Sequence, residues 1–271
     1  MSQCSLVGLL ALGQYLVVLI GGFDLSVAGI MALGSVLVAW IAPHSVSLAA
    51  LAALATGAAL GFVSGLAVTL GRVPPLIATL GVMGIARGLA FAVTEKSILV
   101  PASILAPLQA SFGVLGGPTI VWILLIVVFG WYLGRTRVGR HLYAIGGNEQ
   151  TARLAGIEVD RLKVFIYTLA GSLSGLAGIA LVIRSSSGVP HAGANWELDT
   201  IAAIVIGGTR LFGGECNVVN AMVGVLIYQM IGNIMNLVSL NPYYQDIVKA
   251  AVIIAVVGTS VTRNCRRRAS S

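Results

Sequence analysis

The segment SLAALAALATGAALGFVSGLAVTL, residues Ser47–Leu70, contains no charged side chain over its whole length. A helix needs roughly 20 mainly apolar residues to cross the hydrocarbon core of a bilayer, so this segment by itself indicates a transmembrane helix. Apolar stretches of the same kind, separated by short polar breaks, run from Leu6 almost to Val261. The chain is therefore predicted to cross the membrane many times.

The composition of the whole chain agrees with this prediction. Hydrophobic residues make up 58% of the chain and charged residues only 9%, whereas soluble domains carry about 25% charged residues. The 34 glycines suit helices that pack closely in lipid, where small side chains let backbones approach. The net charge of +7 comes from basic residues between the apolar stretches and at the C-terminus, which is typical of membrane topology and not of nucleic-acid binding.

The apolar pattern predicts an all-α fold: a polytopic transmembrane helix bundle with about nine spans, forming a single transmembrane domain over residues 1–271. The helix at Leu198–Arg210 is short for a crossing and has glycine-rich sequence beyond it, so a broken or re-entrant helix is also possible there. The predicted helices are Ser5–Ile20, Ser26–Ile41, Ser47–Leu70, Leu76–Val93, Thr119–Leu133, Lys163–Ile183, Leu198–Arg210, Val218–Val238 and Asp246–Val261.

The distribution of Lys and Arg predicts the orientation. The Arg-rich loop Arg135–Lys163 and the tail Arg263–Arg268 are expected in the cytoplasm, because loops on that side carry excess positive charge. The C-terminus is then cytoplasmic and the N-terminus lies outside. Nothing in the first residues would drive export of a free amino end, so a missing first helix is expected.

The sequence contains no recognisable enzyme motif. No Lys follows a Gly, so there is no P-loop, and His44, His141 and His191 lack the spacing of a zinc motif. Cys4, Cys216 and Cys265 show neither metal-ligand spacing nor an even disulfide framework. We expect no catalytic residue, no metal site and no cofactor bound by this chain.

The central loop contains the pattern of a short, separately capped helix. Gly146 and Gly147 favour a break before the helix. Asn148 can accept hydrogen bonds from the free amide groups of the first turn, and the negative charge of Glu149 is favourable at the positive N-terminal end of the helix. Gly156 suits a left-handed C-terminal stop. Only about two turns fit between Asn148 and Gly156.

One face of this short helix is predicted to dock in a partner. Glu149, Ala152, Arg153 and Gly156 follow the spacing i, i+3, i+4, i+7 and so share a face. That face is small in the middle and charged at its edge. The alternative is a solvated loop helix that binds nothing.

Four carboxylate or guanidinium groups lie close to or within apolar segments. Asp24 either caps the helix that follows it, near the cytoplasmic surface, or acts as a gate or pathway residue. Arg87 lies within an apolar helix and should pair with a carboxylate or with carbonyl groups. Glu197 and Asp199 begin the short helix, expected at the outer side, where they favour its N-terminus or meet a delivering protein.

The chain resembles the permease subunits of ATP-binding-cassette importers for simple sugars, the ribose, xylose, arabinose and galactose group. Four separate matches occur in the same order along nearly the whole chain, which makes the resemblance specific. They are Gly21–Val27, Pro74–Gly81 with Ala86–Gly88, the loop Thr136–Ile157, and Glu197–Gly208.

The resemblance implies a type II-like importer permease with ten crossings, working as a homodimer in the bacterial inner membrane. The partners it implies are an ATP-binding cassette subunit, which binds the ATP, and a periplasmic or extracellular sugar-binding protein. The central loop resembles the coupling element that sits in a cleft of the ATPase subunit, although Gln150 replaces the leading Glu of its motif. The coupling residues carried over are Gly147, Asn148, Glu149, Gln150, Ala152, Arg153 and Gly156.

Other functions remain open at this point. A branched-chain amino-acid importer permease shares the general pattern of the loop. A secondary transporter is disfavoured because Asp24 and Arg87 alone are too few for a proton relay. A membrane enzyme would need a polar cluster within the membrane. The identity of the sugar cannot be read from the sequence.

Overall fold

A computed structural model describes residues 2–105, 111–112, 115–211, 213–214, 217–241, 243–245, 247–252 and 254. Its architecture is helical, with two short antiparallel pairs of two-residue strands. The helices are α1 Ser2–Leu19, α2 Val27–Ile41, α3 Val46–Thr69, α4 Pro75–Val93, α5 Ala102–Leu105, α6 Gly117–Arg135, α7 Arg137–Gly147, α8 Glu149–Leu154, α9 Val159–Ser185, α10 Trp196–Ile206 and α11 Val218–Leu237. The strands are β1 Ile98–Leu99, β2 Ser111–Phe112, β3 Leu115–Gly116 and β4 Ser187–Gly188.

Within the described residues, 5 helices are long and apolar enough to cross a membrane, namely α3, α4, α6, α9 and α11. Two shorter helices, α1 and α2, are also apolar. The all-α membrane architecture is confirmed, whereas the count of nine spans stays a prediction. The last predicted span, Asp246–Val261, lies largely outside the described residues, although 247–252 are helical. The tail Arg263–Arg268 lies outside them too.

The centre of the bundle is formed by α1 and α9. Every residue of α1 from Ser5 to Leu19 is buried, as expected for a helix that is apolar on all sides. The long helix α9 packs against α1, α2 and α3. These two helices therefore hold the others in place.

Glycines allow α3 and α9 to approach so closely that their backbones are in contact. A methyl group added at Gly57 would meet the carbonyl oxygen of Gly171, and one at Gly61 would meet that of Tyr167. On the other side, a methyl group at Gly175 would meet the carbonyl oxygen of Ala53. Small residues spaced by four along each helix produce this contact, which is typical of helices packed in lipid.

The chain between α9 and α10 turns back into the bundle. After β4 pairs with β1, the non-helical stretch 189–195 carries the chain inward until Gly193 faces Ala28 and Met31 of α2. Helix α10 begins there, and its end at Gly207 lies against Asn220, near the start of α11. Its 11 residues cover about 16 Å, roughly half a bilayer core.

The short helix α10, with non-helical backbone before it, fits the broken-helix alternative for Leu198–Arg210, and the outer position expected for Glu197 and Asp199 stays a prediction. Gly193 and Glu197 are buried, whereas Ala194 and Asn195 between them are exposed. Gly193 and Asn195 both have positive φ angles, 68° and 66°, and so make the turn.

We predict that Gly61→Ala destabilises the bundle, because the new methyl group would force α3 away from the Tyr167 carbonyl. Overpacking of this kind costs about 1–3 kcal/mol. The measurement is the Tm of the detergent-purified protein. The control is Gly134→Ala on α6, where the added methyl group has no neighbour within 4 Å. Equal Tm values for the two variants would contradict the proposed close packing.

Candidate functional site

The segment that joins α6 to α9 forms two helices. Thr136 begins the first, α7, because its hydroxyl accepts a hydrogen bond from the Gly139 amide at 3.1 Å. This helix was missed in the sequence, although Val138, Leu142 and Ile145 show helical spacing. Leu142 and Ile145 are buried, so the apolar side of α7 packs against the bundle.

The second helix, α8, has the predicted limits and caps. The Asn148 side chain accepts a hydrogen bond from the Thr151 amide at 2.9 Å. At the other end Gly156 has a φ of 80°, and the amide of Ile157 donates to the carbonyl of Ala152 at 3.1 Å. The prediction of a capped two-turn helix is confirmed.

Part of the predicted docking face of α8 contacts the chain's own helix α9, whereas Gly156 at the end of that face is open, and docking in a partner stays a prediction. Ala152 is only 3% exposed and belongs to the hydrophobic core. Lys163 forms an ion pair with Glu149 at 2.6 Å, and Arg153 donates to Asp160 at 2.9 Å. The sequence interpretation missed these partners because it started the following helix at Lys163, whereas α9 begins at Val159.

The electrostatics of this network favour the charged state of each group outside the membrane. Partial burial would raise the pKa of Glu149, but hydrogen bonds from Lys163 and Arg153 outweigh it and hold that pKa below its usual value. Hydrogen bonds to Asp160 and Glu149 raise the pKa of Arg153. The contribution of Glu149 to stability is therefore present at neutral pH and is lost only as pH falls through its lowered pKa.

The outward side of this segment includes Gly156, from the predicted face, and residues that do not belong to that face. Gln150 and Gly156 are exposed, and Leu154 is 90% exposed. An apolar side chain presented in this way on a short loop helix is available to a partner protein.

A junction of glycines connects the break between α7 and α8 to two other parts of the bundle. A side chain at Gly146 would collide with the carbonyl of Leu19 and with Gly214. The Gly214 amide donates to the same Leu19 carbonyl at 3.3 Å, and Gly147 also lies beside Gly214. Backbone contacts at this junction therefore join three parts of the chain: the end of α1, the break between α7 and α8, and the loop after α10.

Asp24 is fully buried inside the protein, and its expected position near the cytoplasmic surface of the membrane stays a prediction. Its Oδ1 accepts hydrogen bonds from the amide of Ser26, at 2.8 Å, and from the Ser26 hydroxyl. Ser26, not Asp24, is the residue that precedes α2. The second oxygen, Oδ2, has no hydrogen-bond partner among the described residues. Asp24 thus shapes the turn between α1 and α2 and keeps one acceptor free.

Arg87 lies half-buried on α4, and its guanidinium donates to the Gly193 carbonyl at 3.5 Å. The expected pairing with a carbonyl group is confirmed, but the bond is long. Arg87 and Asp24 lie on different elements and contact different partners. Among the described residues, no three His, Cys, Asp or Glu side chains group as metal ligands would.

A buried apolar bundle with a half-length helix and a capped loop helix at one end is typical of a polytopic membrane permease. The family described as "Branched-chain amino acid transport system / permease component" matches residues 1–257. The chain belongs to this family.

Named relatives are sugar permeases. The ribose import permease protein of Escherichia coli strain K12 is 44% identical over 265 residues, covering 95% of this chain and 83% of the relative. That of Haemophilus influenzae is 40% identical, covering 94% and 81%. The L-arabinose transport system permease protein of Escherichia coli strain K12 is 36% identical, covering 72% and 60%. No solved structure matches the chain.

We predict that Lys163→Met loosens α8 from α9, because it removes the least exposed cation of the network. Partly exposed ion pairs contribute about 0.2–1 kcal/mol, so amide hydrogen exchange in residues 149–156 should accelerate by up to about fivefold. The control is Arg161→Met, whose ion pair with Glu158 is well exposed. If both variants exchange like the wild type, the network does not hold α8.

Proposed function

We propose that this chain is the membrane-spanning permease subunit of an ATP-binding-cassette importer that moves a monosaccharide into the cell. The observation that carries the proposal is the alignment of nearly the whole chain with ribose import permeases at 40% and 44% identity. These relatives are named for ribose import, and the alignments cover 83% and 81% of their lengths. It is not itself an enzyme, since the energy comes from a separate ATPase subunit.

The coupling segment supports a mechanical role. An ATPase subunit would engage the outward side of α8, where Leu154 and Gln150 are accessible. The ion pairs of Glu149 and Arg153 with α9 would pass a displacement of α8 to the helix that packs against α1, α2 and α3. The glycine junction offers a second connection, through Leu19 to α1. Closure of the ATPase subunits would in this way change the opening of the bundle.

The proposed assembly has further components. A sugar-binding protein delivers the substrate from outside, and two copies of this chain form the pathway. The protein resides in the bacterial inner membrane with its C-terminus in the cytoplasm. Apolar residues exposed on α3, α4 and α6, such as Leu51, Ile77 and Val127, would contact lipid or the second copy.

A branched-chain amino-acid importer is the second candidate, because the description of the matching family names that substrate. The sugar proposal is preferred because the aligned relatives carry sugar names at high identity. Uptake of ribose and of leucine by the same reconstituted complex separates the two. Uptake of leucine without ribose would replace the proposal with this alternative.

We predict that transport requires the ATPase subunit. The sequence contains no P-loop, so vesicles with this chain alone should take up no ribose above the level of empty vesicles. Addition of the ATPase subunit, the binding protein and ATP should produce accumulation. The same vesicles with an imposed proton gradient and without ATP are the control. Ribose accumulation in that control would show a secondary transporter.

We predict that Gly156→Val reduces binding of the ATPase subunit. A φ of 80° disfavours a β-branched side chain and would distort the end of α8. The space around Gly156 is open, so backbone strain is the cause and the bundle should insert normally. Pull-down of the ATPase subunit should fall severalfold for Gly156→Val and stay near wild type for Arg161→Ala. Equal recovery with all three proteins would remove the case for α8 as the coupling helix.

A further inference from the structure

An open groove, called here the α3–α9 groove, lies between the end of α3 and the start of α9. Its volume is about 460 Å³, which lies within the range of about 300–1,000 Å³ that is typical of small-molecule sites. Both helices are long and apolar enough to cross a membrane, so lipid is available to this surface. The apolar residues that line the groove are Phe62, Leu66, Leu70, Val164 and Phe165.

Two threonines also line the groove, but their hydroxyl donors are already used. The hydroxyl of Thr69 donates to the Gly65 carbonyl of its own helix at 2.8 Å. The hydroxyl of Thr168 donates to the Val164 carbonyl, also at 2.8 Å. A hydroxyl has a single donor, so the long walls of the groove offer little to a polar solute and suit an apolar chain.

The charged side chains that line one end of the groove are neutralised by partners. Arg153 donates to Asp160 at 2.9 Å, and Arg161 donates to Glu158 at 2.7 Å. Each of these pairs has no net charge. The lining residues Asp160 and Arg161 therefore neither attract nor repel a charged ligand strongly.

Arg72 adds an unpaired cation to this end of the groove. The Gly71 amide donates to the carbonyl of the lining residue Leu66 at 3.1 Å, and the Val73 amide donates to the Ala67 carbonyl at 3.1 Å. Arg72, between these two amides, is therefore fixed on the last turns of α3. It is exposed and forms no ion pair with a described residue. Its φ of 50° is unfavourable for a residue other than glycine, and such strain is concentrated at functional sites.

An apolar groove that ends at an unpaired arginine matches the two parts of an anionic phospholipid. The acyl chain is apolar like the walls, and the phosphate accepts charge-assisted hydrogen bonds from a guanidinium. A basic residue near the membrane surface also attracts anionic lipids in preference to zwitterionic ones.

We propose that the α3–α9 groove binds one acyl chain of an anionic glycerophospholipid whose phosphate is held by Arg72. The site depends on the membrane location of α3 and α9 and not on the transported solute. Asp160 both lines the groove and accepts from Arg153 of α8. The bound lipid therefore lies next to the contacts that hold α8 on α9.

The test is native mass spectrometry of the detergent-purified chain with added phosphatidylglycerol, which is anionic, or phosphatidylcholine, which is zwitterionic. Thr168→Phe fills the groove, and its control is Thr56→Phe. Thr56 is also half-buried and donates to its own helix, at Ala52, but does not line the groove. Arg72→Gln removes the cation, and its control is Arg135→Gln, an exposed arginine in the last turn of α6.

The wild type should bind phosphatidylglycerol with a Kd about fivefold lower than that of phosphatidylcholine, as expected for one cation near the membrane surface. Arg72→Gln should remove this preference, and Arg135→Gln should keep it. Thr168→Phe should weaken binding of both lipids about tenfold or more, because each methylene group that loses its apolar contact costs about fourfold. Thr56→Phe should bind both lipids like the wild type.

The Tm of each variant shows whether it folds. Should Thr168→Phe be unfolded, Phe165→Ala takes its place, because it removes a groove wall without adding volume. Phe165 is an exposed side chain, so the variant should fold and should bind both lipids severalfold more weakly than the wild type.

Four outcomes would overturn the lipid site. Equal Kd values for the two lipids in the wild type, or equal effects of Arg72→Gln and Arg135→Gln, would show that Arg72 does not select the head group. Equal lipid binding by Thr168→Phe and Thr56→Phe would show that the acyl chain lies elsewhere. If Thr168→Phe instead dissociates a dimer seen in the same spectra, with lipid binding unchanged, the groove holds a second copy of this chain. If it loses only the ATPase subunit in a pull-down, the groove belongs to that contact.

Discussion

The backbone contact between α3 and α9 is the interaction on which the other parts of this bundle depend. In lipid, apolar side chains gain little by leaving the solvent, so helices associate through close packing. Gly57 and Gly61 of α3 meet Gly171 and the Tyr167 carbonyl of α9, and this brings many atoms into dispersion contact. Because α9 also packs against α1 and α2, its position determines where the buried centre of the bundle lies.

The same helix connects the core to the cytoplasmic loop. Asp160 and Lys163, in the first turns of α9, hold Arg153 and Glu149 of α8. A displacement of α8 cannot leave α9 unaffected unless these ion pairs break, and a helix packed at glycines has little freedom to tilt locally. The loop and the core are therefore parts of one mechanical unit, in agreement with the task of an importer permease.

Features governed by local chemistry could be predicted from the sequence. The apolar lengths of α3 and α4 predict the ends of both helices to within one or two residues of the observed ends. Asn148 caps the start of α8 with its side chain, and Gly156 ends the segment with a positive φ angle. Features that depend on the path of the chain could not. The contact of Gly193 with Ala28 and Met31 of α2 joins residues far apart in the sequence, and no local pattern in 189–195 indicates it. The partners of Glu149 were missed because α9 begins four residues earlier than its apolar pattern.

The interior charges also bear on the choice between transport mechanisms. The sequence interpretation counted Asp24 and Arg87 alone as intramembrane charges, whereas the fold brings Glu197, Asp199 and Lys249 to the bundle interior as well. Asp199 is held by Tyr228 and Lys249, whereas Asp24 and Glu197 each have one carboxylate oxygen without a hydrogen-bond partner among the described residues. A proton relay needs a connected series of groups that exchange protons during the cycle. Asp24 lies between α1 and α2 and contacts Ser26, while Asp199 contacts Tyr228 and Lys249, so these two carboxylates share no partner and form no such series.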